Sequence, residues 1–338
     1  MRRGSIASLV GIGLVAGGIA AAVAVALPWL PTPASREASR IDFEFWFVIV
    51  ICIVIFAVVV AAILYSVINF RAAPDDMSDG PPIHGHTGLE IAWTLIPTLL
   101  VTAIGISSAI VLSNDDALGK NVLRINVTAQ QFAWTFSYPD AKGLTSATLM
   151  LPKDRSVLLT FTSKDVIHSF WVPEFGQKQD TVPGLHPTLH ITPDRLGTYP
   201  VICTELCGLG HATMRATAIV MAPAAFDKWI AGQTKAVTSP NAGQAGAALF
   251  TNNGCAACHT LTAAHATGKV GPDLDKLATY ARKAGKPLAA FVRESIVSPN
   301  AYVEAGYPKN VMPQTFGTSI PKSQLDSLVT YLTTNGTQ

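Results

Sequence analysis

Charge is scarce in this 338-residue chain: only 14% of residues are Asp, Glu, Lys or Arg, against 49% hydrophobic. The 24 basic residues are scattered and nearly matched by 22 acidic ones, so no block of one sign exists to grip nucleic acid, which is excluded as a partner. No internal repeat is evident. Cysteine is sparse as well. Of the five, Cys52 lies in an apolar run, and the others form two close pairs, Cys203 with Cys207 and Cys255 with Cys258. A disulfide framework is one reading of those pairs, but both sit beside histidine and methionine, which disulfides do not require.

What is present is apolar sequence in long runs, and the mean hydropathy of +0.35 is high for a wholly soluble chain. Residues 4–35 carry no charge, with Arg2 and Arg3 in front and Pro28, Pro31 and Pro33 near the far end. This segment reads as a signal peptide with its exit at residues 32–35, or as a retained helix. Residues 45–70 form a second uncharged run, roughly 39 Å long as a helix, and residues 91–113 a third of roughly 34 Å. The Pro-, Gly- and Asp-rich connection 71–90 suits a loop between antiparallel helices. With Arg2 and Arg3 inside, parity puts everything after Ser113 outside the cytoplasm.

From Val122 to about Ala222 the pattern becomes short alternating strands, as in Leu123, Ile125 and Val127 separated by Arg124, Asn126 and Thr128. Turn signals at Pro139-Asp140, Pro183-Gly184 and Pro193-Asp194 point to a small antiparallel sandwich or barrel. A stretch rich in Ala, Thr, Ser, Pro and Gly then reads as a linker, followed by helical candidates at 244–250, 287–297 and 322–333. The expected organisation is 1–40 signal peptide or extra transmembrane helix, 41–116 helix hairpin, 117–224 β domain, 225–243 linker and 244–338 helical domain.

The chemistry concentrates in Cys203-Thr-Glu205-Leu-Cys207-Gly-Leu-Gly-His211-Ala-Thr-Met214, where two thiols, an imidazole and a thioether fall within twelve positions. Such soft donors select copper(I) or zinc over hard cations, and a second cysteine suggests more than one metal. Two bridged coppers would each need a terminal imidazole. His211 offers one, and His168, at a strand end, offers the other. A structural zinc held by Cys203, Cys207, His211 and His168 is the alternative, but it leaves Met214 without a part.

This constellation, with His168-Ser169 and Asp180-x-x-Pro183-Gly184, closely resembles cytochrome c oxidase subunit II over about residues 40–222. The resemblance implies a cupredoxin-like barrel holding a dinuclear copper centre, CuA. In it Cys203 and Cys207 bridge the coppers, His168 and His211 are terminal ligands, Met214 is a weak ligand and Glu205 gives its carbonyl. The Glu205 side chain would also reach a magnesium or manganese ion shared with subunit I, although a plain surface glutamate is the simpler reading. Glu90-Ile-Ala-Trp93-Thr94-Leu-Ile-Pro97 is similar to the start of the family's second helix. That makes Glu90 a candidate proton-uptake group, with a helix N-terminal acid as the alternative. The family's aromatic segment usually begins Gln-Trp, whereas this chain has Gln131-Phe132. The departure suggests a tethered electron donor; aromatic core packing is the simpler reading.

Cys255-Ala-Ala-Cys258-His259 matches c-type haem attachment, with His259 as proximal ligand. A redox dithiol or half a zinc site would need a different context. The one methionine after residue 224, Met312, stands where a sixth ligand is needed, although single methionines usually pack in cores. His265 follows His259 too closely to reach the distal face. Residues 241–336 resemble a class I cytochrome c. His84, His86, His186 and His190 read as surface residues.

Together the resemblances imply a multidomain membrane protein: an α-helical transmembrane hairpin, an all-β cupredoxin-like barrel and an all-α cytochrome domain. The implied role is electron input to a haem-copper oxidase. External cytochrome c, or a bc1 complex, reduces the haem c, which passes the electron to CuA. Subunit I, carrying haem a and a haem a3–CuB site, then reduces O2 with proton pumping. Subunit III and membrane lipid are the other implied partners, and the setting is a bacterial cell membrane with the copper and haem domains outside. The chain lacks the many-helix, six-histidine core that oxygen reduction needs. A CuA subunit of a nitric oxide reductase and a membrane-bound shuttle without catalytic partner are the alternatives. A quinol-oxidase subunit would lack the copper ligands.

Overall fold

The computed structural model describes residues 3–71, 75, 80, 82, 84–141, 144–237 and 241–337. Arg2, used for the orientation argument, and residues 238–240 of the expected linker lie outside them. Two compact units emerge: Met1–Thr32 with Ser39–Asp115, and Pro33–Ala38 with Asp116–Gln338.

The first unit holds three helices, α1 (Arg3–Ala26), α2 (Arg36–Asn69) and α3 (Thr87–Asp115), all long and apolar enough to cross a membrane. Small residues let α1 approach α2: a Cβ added at Gly17 would lie 3.2 Å from the Ala57 Cβ. Between α2 and α3, the Glu44 carboxylate accepts hydrogen bonds from Ser107 (2.6 Å) and Ser108 (2.9 Å). Arg40 pairs with the buried Asp115 at 2.5 Å. The apolar residues on these helices are largely exposed, among them Val67 and Val101, as lipid-facing helices require.

In the second unit ten strands form two five-stranded sheets. The strands are β1 (Leu123–Gln130), β2 (Ala133–Tyr138), β3 (Leu144–Ser146), β4 (Thr148–Pro152), β5 (Val157–Ser163), β6 (His168–Trp171), β7 (Lys178–Thr181), β8 (Thr188–Ile191), β9 (Gly197–Cys203) and β10 (Arg215–Met221). One sheet has the order β3-β2-β1-β5-β8, the other β4-β10-β9-β6-β7. The barrel is not wholly antiparallel as expected, because β1 pairs with β5 and β4 with β10 in parallel. Period-two alternation identifies strands but carries no direction, so it could not have shown this. Between the sheets Trp134, Phe136 and Phe161 gather round Phe170, with centroids 5.3–6.4 Å away. Truncating Phe170 to Ala in such a core costs about 3–5 kcal/mol.

The stretch Pro33–Ala38, which belongs to this second unit, is sewn into the barrel: Ala34 N–H donates to the Glu174 carbonyl, and the buried Glu37 carboxylate accepts from Thr192 N–H at 2.8 Å. The region expected as a linker carries a helix, α4 (Pro223–Val237). Its Phe226 and Trp229 pack on Tyr138, a helical i, i+3 pair that the surrounding Ala, Lys and Thr obscure in the sequence. The remaining helices are α5 (Ala242–Asn252), α6 (Cys255–Cys258), α7 (Leu277–Lys283), α8 (Leu288–Val297), α9 (Phe316–Ser319) and α10 (Lys322–Asn335). Around α5, α8 and α10 a second core forms from Leu249, Phe250, Phe291, Val292, Leu328 and Leu332.

Candidate metal and haem centres

The loop after β9 folds back on itself so that its donors converge with His168 at the start of β6. Cys203 Sγ lies 3.8 Å from Cys207 Sγ, 3.4 Å from the Glu205 carbonyl and 4.0 Å from His168 Nδ1. Cys207 Sγ lies 3.5 Å from His211 Nδ1 and 3.7 Å from Met214 Sδ. His168 and Met214 are fully buried, and both cysteines are nearly so. The cysteines are free thiols rather than a disulfide. Six donors therefore surround one small volume. Tetrahedral zinc uses four ligands, so a thioether and a carbonyl would be left over, whereas a two-copper centre would be held by the whole set.

Electrostatics prepare the site for cations. Burial works against ionising Cys203, yet hydrogen bonding with His168 and the Ser169 backbone outweighs it and brings the thiol down to about 6. Burial, reinforced by the neighbouring Cys203 charge, pushes Cys207 up to about 12. The second proton leaves readily only when a metal ion replaces it.

Asp165 is a residue of this cluster that motif reasoning missed. Its Oδ1 accepts from His168 Nε2 at 2.8 Å, and its Oδ2 accepts from the Gln131 N–H at 2.7 Å. The first bond fixes the imidazole so that Nδ1 faces the sulfurs, the arrangement common to metal-bound histidines. Burial opposes the Asp165 charge, but the Gln131 and His168 hydrogen bonds hold its carboxyl below the usual range. The only advance signal was an acid three residues before a candidate ligand. The family motif residue Asp180 sits across the β6/β7 ladder and accepts from Ser169 Oγ at 2.7 Å. The Glu205 side chain is exposed.

Cys255, Cys258, His259 and Met312 all line one cavity, whose other walls include Phe250, Leu277, Phe291 and Leu332. His259 Nδ1–H donates to the Pro272 carbonyl at 2.8 Å, leaving Nε2 as the free ligand atom. A Cβ at Gly271 would meet this ring at 2.5 Å, so glycine is what lets the ring lie there. Burial lowers the His259 pKa and keeps the imidazole neutral, the form that binds iron. An apolar slot with two thiols and a neutral imidazole at one side and a thioether in its wall fits a covalently attached haem. His265 is exposed and lines no part of the cavity.

Glu90 stands in the first turn of α3, exposed, with its carboxylate accepting from His86 N–H at 3.2 Å. His186 is a surface residue, as expected. His190 is not: it is buried, 2.7 Å from Ser156 Oγ, on the face of β8 opposite Leu189 and Ile191, which pack into the barrel core.

A β barrel with a two-thiol donor cluster, joined to a helical domain whose cavity fits a haem and to helices long and apolar enough to cross a membrane, defines the class of electron-carrying proteins. Residues 23–111 match the transmembrane domain of cytochrome c oxidase subunit II, residues 144–222 match its periplasmic domain, and residues 243–336 match cytochrome c. The cytochrome c oxidase subunit 2 of Synechocystis sp. is 34% identical over 256 residues, covering 62% of this chain and 77% of that one. Its counterpart in Thermostichus vulcanus is 33% identical over 264 residues, covering 62% and 80%. In Alkalihalophilus pseudofirmus the corresponding subunit is 29% identical over 296 residues, 84% of each chain. The chain belongs to the cytochrome c oxidase subunit II family, carries a C-terminal cytochrome c domain and is a component of the oxidase complex. Family membership implies CuA, haem c and a subunit I partner.

Proposed function

We propose that His168, Cys203, Cys207, His211, Met214 and the Glu205 carbonyl hold CuA, and that Cys255, Cys258, His259 and Met312 hold haem c. The observation that carries the reading is the convergence of six donors about two sulfurs 3.8 Å apart. When bound, haem c and CuA each accept and release one electron, so the chain takes electrons from an external cytochrome c and delivers them to subunit I. The chain's own residues supply fixed geometry. Asp165 orients His168, the Pro272 carbonyl orients His259, and the buried barrel core keeps water from the sulfurs.

The finer assignments follow from the same frame. The helices α1, α2 and α3 make the chain multi-pass in a bacterial cell membrane, with the copper and haem domains on the outer side, where covalent haem is attached. The exposed Glu205 carboxylate is free to reach a magnesium or manganese ion shared with subunit I. Glu90 acts at the membrane edge as a proton-uptake group, and subunit III, lipid, and cytochrome c or a bc1 complex complete the set of partners. The test is a set of single substitutions in the full complex. Cys207→Ser should abolish the CuA absorption while leaving the haem c spectrum intact, and Cys258→Ala should weaken covalent haem attachment while leaving CuA. Loss of neither signal contradicts the ligand assignment.

A further inference from the structure

The haem cavity is not closed by the cytochrome domain alone. Ala133, the first residue of β2 in the barrel, lies in its wall together with Cys255, His259 and Met312. Its two preceding neighbours touch the other centre. Gln131 Nε2–H donates to the Cys207 carbonyl at 2.6 Å, and the Phe132 ring lies against the copper loop so closely that a Cβ at Gly210 would come within 2.5 Å of it.

The placement is held by buried polar groups that find partners across the junction. Gln130, buried at the end of β1, accepts from Thr315 Oγ1 at 3.0 Å, in the segment just after Met312. Asn252, buried at the end of α5, donates to Gln233 Oε1 of α4 at 3.2 Å. Gly254, directly before Cys255, packs on Ala147, so that a Cβ added there would lie 3.3 Å from the Ala147 Cβ. A cytochrome domain swinging on its tether would trade these bonds for bonds to water. Each is worth about 0.5–1.5 kcal/mol net, which favours the seated arrangement.

We infer that the haem site is shared between the two domains: Ala133 of the barrel completes its wall, and the three consecutive residues Gln131, Phe132 and Ala133 connect the haem cavity to the copper loop as one fixed bridge. The inference rests on the reading above that haem c fills this cavity. It makes Ala133 a positioning residue, small because a bulkier side chain would enter the cavity. It also makes the cytochrome domain a docked relay instead of a mobile shuttle.

The test measures the haem c midpoint potential in the whole oxidase with Ala133→Asp, Ala133→Lys and the uncharged control Ala133→Asn. A negative charge in the wall stabilises ferric haem and lowers the potential, and a positive charge raises it. The expected result is opposite shifts for Asp and Lys about the Asn control, with CuA absorption retained. Failure of the cofactor reading would show separately, as absent haem c or CuA spectra in the unsubstituted protein. With both spectra present, a potential unmoved by either charge, or displaced in the same direction by both, overturns the inference.

Discussion

Asp165 and His168 form a carboxylate–imidazole pair, 2.8 Å from Oδ1 to Nε2, that turns the opposite ring nitrogen toward the two sulfurs. The pair matters because His168 comes from a different strand than the other donors, so its aim is not fixed by the loop that carries Cys203, Cys207, His211 and Met214. Asp165→Ala removes that aim along with the bond to the Gln131 N–H. Copper affinity is expected to fall about 10–100-fold, as for other outer partners of ligating histidines. Competition with a copper(I) chelator measures it, and an unchanged affinity removes Asp165 from the site.

Phe132 and Gly210 are matched by contact. A methyl group at Gly210 would overlap Cδ2 and Cγ of the ring, the inner part of the side chain, which cannot simply rotate away. Gly210→Ala is expected to destabilise the barrel by about 1–3 kcal/mol, and by close to nothing in a Phe132→Ala background. Denaturant melts of the four proteins of the cycle check the coupling.

Met312→His replaces the thioether in the cavity wall with a stronger donor to ferric iron. The haem c potential is expected to drop by a part of the ~0.8 V that axial ligands span. Spectroelectrochemical titration reads it. A potential equal to that of the unsubstituted protein would show that Met312 is core packing.

The segment leading to Met312 is pinned by Glu304, which pairs with Lys283 and accepts from Tyr302 Oη at 2.8 Å. The hydrogen bond from Lys283 holds the Glu304 carboxyl below its ordinary value. A carboxyl depressed in the folded state stabilises the fold above its unfolded value of about 4.3, and that stability is lost as pH falls through the folded value. The pair is exposed on the lysine side, so the effect is small. Glu304→Gln is expected to melt slightly below the unsubstituted protein at pH 7, with the gap closing between pH 5 and pH 3. Thermal melts followed by the haem band test this, and a gap that persists at pH 3 argues against the ion pair as its source.

Much of the site was legible because its motifs are local. Five of the six candidate donors lie within one loop, the haem motif occupies five consecutive residues, and composition marks three apolar runs. Other features depend on partners distant in sequence. Strand direction cannot be read from alternation, so the parallel β1/β5 pair was not foreseen. His190 is buried on the face of β8 opposite the core-facing Leu189 and Ile191, by cover that alternation within one strand does not reveal. Helix α4 was hidden because two aromatic residues, Phe226 and Trp229, do its packing within an otherwise linker-like composition. Ala133 carries no chemical signal at all, and only the seating of one domain on another gives it a part in the haem site.

Electron paramagnetic resonance with metal analysis, on the full-length protein matured with copper and haem, tests the central claim most directly. The expected result is two copper ions per chain, a mixed-valence signal from one unpaired electron shared between them, and a separate low-spin haem c. Zinc at the site, or a single copper with an ordinary mononuclear signal, would contradict the assignment of His168, Cys203, Cys207, His211 and Met214 to a dinuclear centre.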